Sequence, residues 1–319
     1  MASSGHSGPA NVHVVVTCSN RKRHTVPDRL RVGNLHESSP GQRFATWTDR
    51  LLTSSASRFP AVDLYAGEHW QIARTLPDQI APRAATLWVC SAGYGLIAAS
   101  AAIRPYAATF ASGGVDSVGE DKSAARDWWT RLTEWPGPDA DQPRSFADLA
   151  RRDPHATIIA VLSDAYQRAC ATDVTVAASL LHDNQQLSVV GPSTNDLEDL
   201  VVPVTARLQP HLGGSLLSLN ARVAAFLLRS SVDDDHDLRR ERLRERVEQT
   251  TQATPVPATR TAGQRLTDEE VRAFIRGHAG ERATTATGLL RRLRLSGRSC
   301  EQARFGQLFA EVMAWRARP

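Results

Sequence analysis

Residues 12–22 read VHVVVTCSNRK, a β-branched run that gives way at Thr17 to small and polar residues. Such a run suits a strand covered on both faces, as in a parallel sheet, and the polar residues after it form a loop at its carboxyl end. Segments of the same kind follow at Thr86–Ser91 (TLWVCS), Thr157–Ser163 (TIIAVLS) and Leu187–Val190 (LSVV). Between them, Phe44–Ser54, Trp70–Leu76, Ser123–Thr133, Phe146–Arg151 and Asp164–Leu181 carry helical apolar spacing. This alternation predicts an α/β domain over residues 1–232, closed by a helix at Ser218–Leu228. Its sheet is mostly parallel with crossover helices, and its ligands belong at the carboxyl ends of the strands.

With 41% hydrophobic and 23% charged residues among 319, the chain can bury a core, which excludes disordered, collagen-like and disulfide-stapled classes. The four cysteines are far apart in sequence and no apolar leader opens the chain. Reduced thiols and a cytoplasmic location are expected. The apolar run Leu87–Ile103 is shorter than the ~20 residues of a membrane span, so no membrane partner is expected.

Residues 239–319 carry 17 arginines against 9 acidic residues, whereas residues 1–238 carry 21 basic against 25 acidic. The C-terminal part is therefore the polyelectrolyte partner. Lys22 and Lys122 are the only lysines among 38 basic residues. Lysine can lose its proton and arginine cannot, which singles them out.

Residues 233–265 read as a charged helix, solvent-laced over 239–248, and a linker at 250–263 (TTQATPVPATRTAG). Residues 266–319 then form a small basic helical module. Thr267 starts one helix, and helices at Thr287–Leu295 and Cys300–Trp315 flank Ser296-Gly297 in a helix-turn-helix-like order. Arg291, Arg292, Arg294, Arg298 and Arg304 surround that turn. Two readings stand: an exposed or packing face, and contact with a nucleic-acid backbone. The balance of 7 arginines to 2 glutamates over 284–319 favours the second.

Four segments stand out together: Thr17–Lys22 (TCSNRK), Leu64–Trp70 (LYAGEHW), Cys90–Ile97 (CSAGYGLI) with Ile103-Arg104-Pro105-Tyr106, and Leu162–Tyr166 (LSDAY). Their order over residues 12–170 resembles that of the YaaA-like peroxide stress proteins. Those have a Tyr-x-Gly element, a Ser-Gly-x-Tyr-Gly segment leading to Pro-Tyr, and an apolar strand running into Ala-Ser-x-x-Tyr. The Cys-Ser-x-x-Lys loop is similar to that of archaeosine synthases, although Arg23-His24 follows it here where they have Pro-Tyr. The first resemblance implies an α/β fold, DNA binding and a link to oxidative stress. The second implies modification of deazaguanine bases in tRNA, in a fold similar to uracil-DNA glycosylases.

From the residues themselves, Lys22 is a nucleophilic amine if its pKa is lowered, and otherwise a solvated or phosphate-contacting cation. Cys18, Ser19 and Asn20 adjoin it as candidate base-binding residues. Gly93, Tyr94 and Gly95 fit either a tight turn whose backbone amides approach an anion or a base edge, with Tyr94 stacking on it, or a glycine turn of no functional consequence, and Ser91 beside them is a further candidate base-binding residue. Tyr65, Trp70 and Tyr106 are either an aromatic wall for a flipped base or part of the core. Asp116 and Asp164 are the best-placed carboxylates for acid–base work, Asp164 having the N-cap of a helix as its other reading. No metal-ligand spacing, P-loop, Rossmann fingerprint or Gly-x-Ser-x-Gly is present, so neither a metal nor a cofactor is expected. The expected partner is nucleic acid, DNA before RNA. The preferred reading is recognition of an extruded or modified base, at its sharpest a DNA glycosylase. A non-catalytic DNA-binding stress or defence protein is the alternative, and a tRNA base-modifying enzyme comes third.

Overall fold

The structure, a computed structural model, describes residues 11–139, 141–234, 237–254, 264–278 and 285–316. It divides into two units, Met1–Pro255 and Val256–Pro319.

The first unit is α/β and carries a six-stranded sheet. Its strands are β1 (Val12–Thr17), β2 (Ala85–Ser91), β3 (Gly95–Ala98), β4 (Thr157–Val161), β5 (Leu187–Gly191) and β6 (Val201–Pro203), in spatial order β3-β2-β1-β4-β5-β6. Every pair is parallel except the β2–β3 hairpin. All of β1 is buried, which accounts for its β-branched, largely apolar run, and the polar His13 and Thr17 are buried with it. Thr17 stands opposite Cys90 of β2, and Val16 opposite Val161 of β4. The chain leaves β1 for β2 on one side and later crosses to β4 on the other. That reversal puts the carboxyl end of β1 at the topological switch point, where such sheets open a crevice.

Helices α1 (Pro40–Thr53), α3 (Lys122–Glu134), α4 (Phe146–Arg152) and α5 (Asp164–Leu180) pack in one group. A second group comprises α2 (Glu68–Ala73), α6 (Leu219–Val232) and α7 (Arg240–Ala253). The buried Gln167 of α5 joins the ends of β4 and β5: its amide nitrogen donates to the carbonyls of Leu162 and Pro192, and its oxygen accepts from Thr194 Oγ1. All four cysteines are buried and free, with the sulfurs of Cys90 and Cys170 3.6 Å apart.

Helix α7 corrects the expectation of a solvated, separate segment. Leu243 and Val247, one turn apart, are buried, and so is Arg240. Arg240 Nη1 donates to the carbonyls of Asn184 and Leu187 at 2.6 Å each, and Arg244 donates to those of Val201 and Glu198 at 2.7 Å. The charged residues thus dock the helix beside β5 and β6, and the first unit runs to Pro255 rather than ending at 232. Part of the linker expected at 250–263 is the end of α7, and the remainder from 255 lies outside the described residues.

The second unit contains α8 (Asp268–His278), α9 (Ala286–Leu295) and α10 (Gln302–Arg316), packed around Val271, Ile275, Leu289, Leu293 and Phe305. A capping box starts α8: Thr267 Oγ1 accepts the Glu270 N–H and Glu270 Oε2 accepts that of Thr267. Between α9 and α10, Arg298–Ser299 pairs with Gln264–Arg265, so this connection contains a short parallel ladder and is more than the bare glycine turn expected.

Arg240→Ala removes the donor from the carbonyls of Asn184, in the turn before β5, and Leu187, at its start, and is expected to cost about 1–3 kcal/mol in a denaturant titration. Arg242→Ala, on the exposed side of the same helix, is expected to stay within about 0.5 kcal/mol of wild type.

Candidate functional site

The carboxyl ends of β1, β2 and β4 deliver three of the four notable segments to one edge of the sheet. Cys18 extends β1 by donating its N–H to the Cys90 carbonyl, and its thiol shares a 3.1 Å hydrogen bond with the Tyr166 hydroxyl. Ser19 Oγ donates to the Ala66 carbonyl at 2.7 Å and accepts the Arg21 N–H. The Ala66 and Arg23 amides then donate to the Arg21 and Leu64 carbonyls, placing Lys22 opposite Tyr65 in an antiparallel bridge. Asn20 is exposed at the tip of this loop.

Lys22 Nζ donates to the Ser19 carbonyl and lies 4.6 Å from the Tyr106 ring centre and 5.2 Å from that of Tyr65. Burial lowers its pKa, opposed more weakly by Coulombic interaction with Cys18 and Asp116. The Asp116 carbonyl accepts the Thr109 N–H beside the Thr109–Ser117 bridge, and its carboxylate accepts the Gly33 N–H and pairs with Arg31 at 3.4 Å. It therefore reaches Lys22 through space with its own countercharge attached. Asp164 is placed otherwise. Ser163 is the N-cap of α5, and Asp164, the first helical residue, pairs with Arg168 one turn on.

Beneath the lysine runs a sealed chain of hydroxyls. Ser91 Oγ accepts the N–H groups of Gly93 and Tyr94, which leaves its proton for Tyr106, 2.6 Å away. The Tyr106 and Tyr65 hydroxyls are 2.9 Å apart. Burial raises the pKa of both phenols well above the ordinary value, so both remain neutral. Gly93 must lack a side chain, because a Cβ there would sit 2.4 Å from the Tyr106 ring.

The turn after β2 is fixed from behind by two indoles: Trp47 donates to the Gly93 carbonyl and Trp128 to that of Ala92, each at 2.8 Å. Tyr94 packs edge-on against Tyr106, their ring centres 5.1 Å apart, and its hydroxyl accepts the Arg104 N–H. Its carbonyl accepts from the buried Arg144, which also donates to those of Leu96 and Trp135. Tyr65, Trp70 and Tyr106 are fully buried, and Trp70 spends its N–H on the Val62 carbonyl. The aromatic wall expected for a flipped base is thus core, lying under the site.

His69 belongs to the site although sequence reasoning passed over it. Its Nε2 lies 3.3 Å from both the hydroxyl and the carbonyl oxygen of Thr17, the last residue of β1. Burial lowers its pKa, leaving a neutral imidazole near pH 7. Its neighbour Glu68 accepts from Ser215 and Arg222 at 2.7 Å each, which takes its pKa down to about 2. The edge therefore offers an amine with a lowered pKa, a neutral imidazole and an ion-paired carboxylate. Those groups suit nucleophilic attack or proton transfer at a carbonyl-like or sugar carbon. Among the described residues, no three His, Cys, Asp or Glu side chains gather into a metal-binding group.

In the second unit Arg291, Arg292 and Arg294 are exposed on α9, and Arg298 is exposed in the short ladder. Arg294 also donates to the Cys300 carbonyl. Arg304 is otherwise engaged: it pairs with Asp268 and donates to the Leu266 carbonyl, which ties α10 to the start of α8. No protein-family model and no curated protein sequence matches the chain.

In a Lys122→Arg background, the ¹³Cε resonance of Lys22 is expected to titrate with a midpoint below the ordinary ~10.4. The folded protein then releases this proton before the unfolded chain does, so folding stability rises with pH between that midpoint and ~10.4. Lys22→Met should remove that rise in urea titrations run across the same interval.

Proposed function

We propose that the chain acts on nucleic acid, with the carboxyl edge of β1 as a base-excision site and the arginine-rich second unit as a backbone-binding module of helix-turn-helix type. The observation that carries this reading is Lys22: a rare lysine, anchored opposite Tyr65, with its amine over two neutral tyrosine rings and its pKa lowered by burial.

In the proposed reaction, the neutral amine attacks the sugar C1′ as the glycosidic bond breaks. The bonding pair leaves with the base, which takes up a proton, and the nitrogen gives one up. The C1′–O4′ bond then breaks with its pair on O4′, which takes up the remaining amine proton as the nitrogen lone pair closes the imine between Lys22 and C1′. In this reading His69, a neutral imidazole at the same strand end, accepts the proton, and Asp116 supplies negative charge that favours a cationic sugar. DNA is the preferred substrate.

A second reading, a non-catalytic DNA-binding protein, is favoured by a specific observation: the rings that would stack on an extruded base are closed to solvent. The two readings separate in one experiment. The protein is incubated with duplexes carrying natural or modified bases, treated with borohydride, and examined for released base and covalent adduct. Excision through Lys22 gives both, and Lys22→Arg abolishes the adduct while keeping the charge. Release that survives Lys22→Arg moves the chemistry to water activated at His69 or Asp116. Binding with neither product leaves the non-catalytic reading.

Arg291→Ala, Arg292→Ala and Arg294→Ala combined are expected to weaken duplex binding. The log–log salt slope should become shallower by about 0.9 for each phosphate that the protein no longer neutralises.

A further inference from the structure

Besides its exposed arginines on α9, the second unit has a groove of about 400 Å³ lined by Arg272, Arg276, Glu311, Val312 and Trp315. Trp315, near the end of α10, is 70% exposed, whereas Trp47, Trp70, Trp88, Trp128 and Trp129 are all buried. An indole left in water presents a large apolar face to a partner. Arg272 is neutralised within the groove by Glu311, at 2.9 Å from Nη2. Arg276, one turn further along α8, is exposed and has no carboxylate partner among the described residues. The groove thus presents an aromatic face, a satisfied ion pair on its wall and one guanidinium with no carboxylate partner among the described residues. Residues 256–319, which contain it, carry 12 arginines against 6 acidic residues, so an anionic partner is favoured over a neutral or basic one.

We propose that this groove binds a nucleotide of a single-stranded nucleic acid, with a base stacked on Trp315 and its phosphate paired with Arg276. Base faces are available for stacking only where a strand is unpaired, and every base has such a face, so the site is expected to be tolerant of sequence. Its volume lies at the small end of ligand sites, ~300–1,000 Å³, which suits one nucleotide at a time. The proposal rests on the nucleic-acid reading of the second unit but uses residues separate from those assigned to duplex contact.

The test is fluorescence anisotropy of the full chain with labelled oligo(dT) and, separately, with a labelled duplex. Trp315→Ala should weaken oligo(dT) binding about tenfold or more while leaving duplex affinity unchanged, and Trp315→Phe should recover most of the loss. Arg276→Ala should lower the salt slope for oligo(dT) by about 0.7. Circular dichroism checks that the variants are folded. Wild-type affinity for oligo(dT) in Trp315→Ala overturns the proposal, as does an equal loss on both ligands. A wild type that binds duplex but not oligo(dT) overturns it while sparing the proposed function. Binding of neither overturns both.

Discussion

A phenol sealed from water must place its oxygen against other polar atoms, and around Tyr106 this requirement organises the carboxyl edge of the sheet. Ser91 reaches it because the two amides of the following turn occupy both Ser91 lone pairs. Tyr65 reaches it from the segment that also anchors the Lys22 loop. Gly93 is bare because the Tyr106 ring fills the space of a side chain. Lys22 then lies over an electron-rich surface that favours its charged form, in surroundings whose burial disfavours it. Burial is the larger influence, and that imbalance gives the amine its chemical interest.

Much of the first unit was legible because its strands are buried on both faces and therefore written in β-branched residues. β1, β2, β4 and β5 fall within or beside the expected runs, and α3, α4 and α5 begin and end within a residue of expectation. What escaped is what local pattern does not encode. β3 is part of an apolar stretch that reads equally as one long run, and only Gly95, with φ of 76°, returns the chain to pair with β2. β6 has three residues and ends in proline, too short for a periodicity. Of the site, the Lys22 loop and the turn at Ser91–Gly93 were visible as motifs. The pairing of Tyr65 with Tyr106 spans 41 residues of chain, and the indoles of Trp47 and Trp128 arrive from helices whose spacing announces only that one face is apolar.

Charge was the least transferable signal. Arg240, Arg244, Arg144 and Arg304 use their guanidinium groups on backbone carbonyls, and Arg304 on a carboxylate as well. An arginine count therefore overstates the charge available to a ligand. A forked donor set that reaches several carbonyls from one stem serves as a structural tie where helices meet strand ends. The cations left exposed in the second unit, Arg291 and Arg276 among them, are better guides to partners than the total.

The thiols carry a further consequence. Cys90 and Cys170 are near neighbours, and burial holds both in the protonated form. Exchange chemistry needs a thiolate and an approach path, and the closed fold denies them both. Alkylation of these sulfurs can then proceed only as fast as the sheet parts from α5. The rate at which a small reagent reaches them is a stopwatch for breathing of the core, available without introducing any probe.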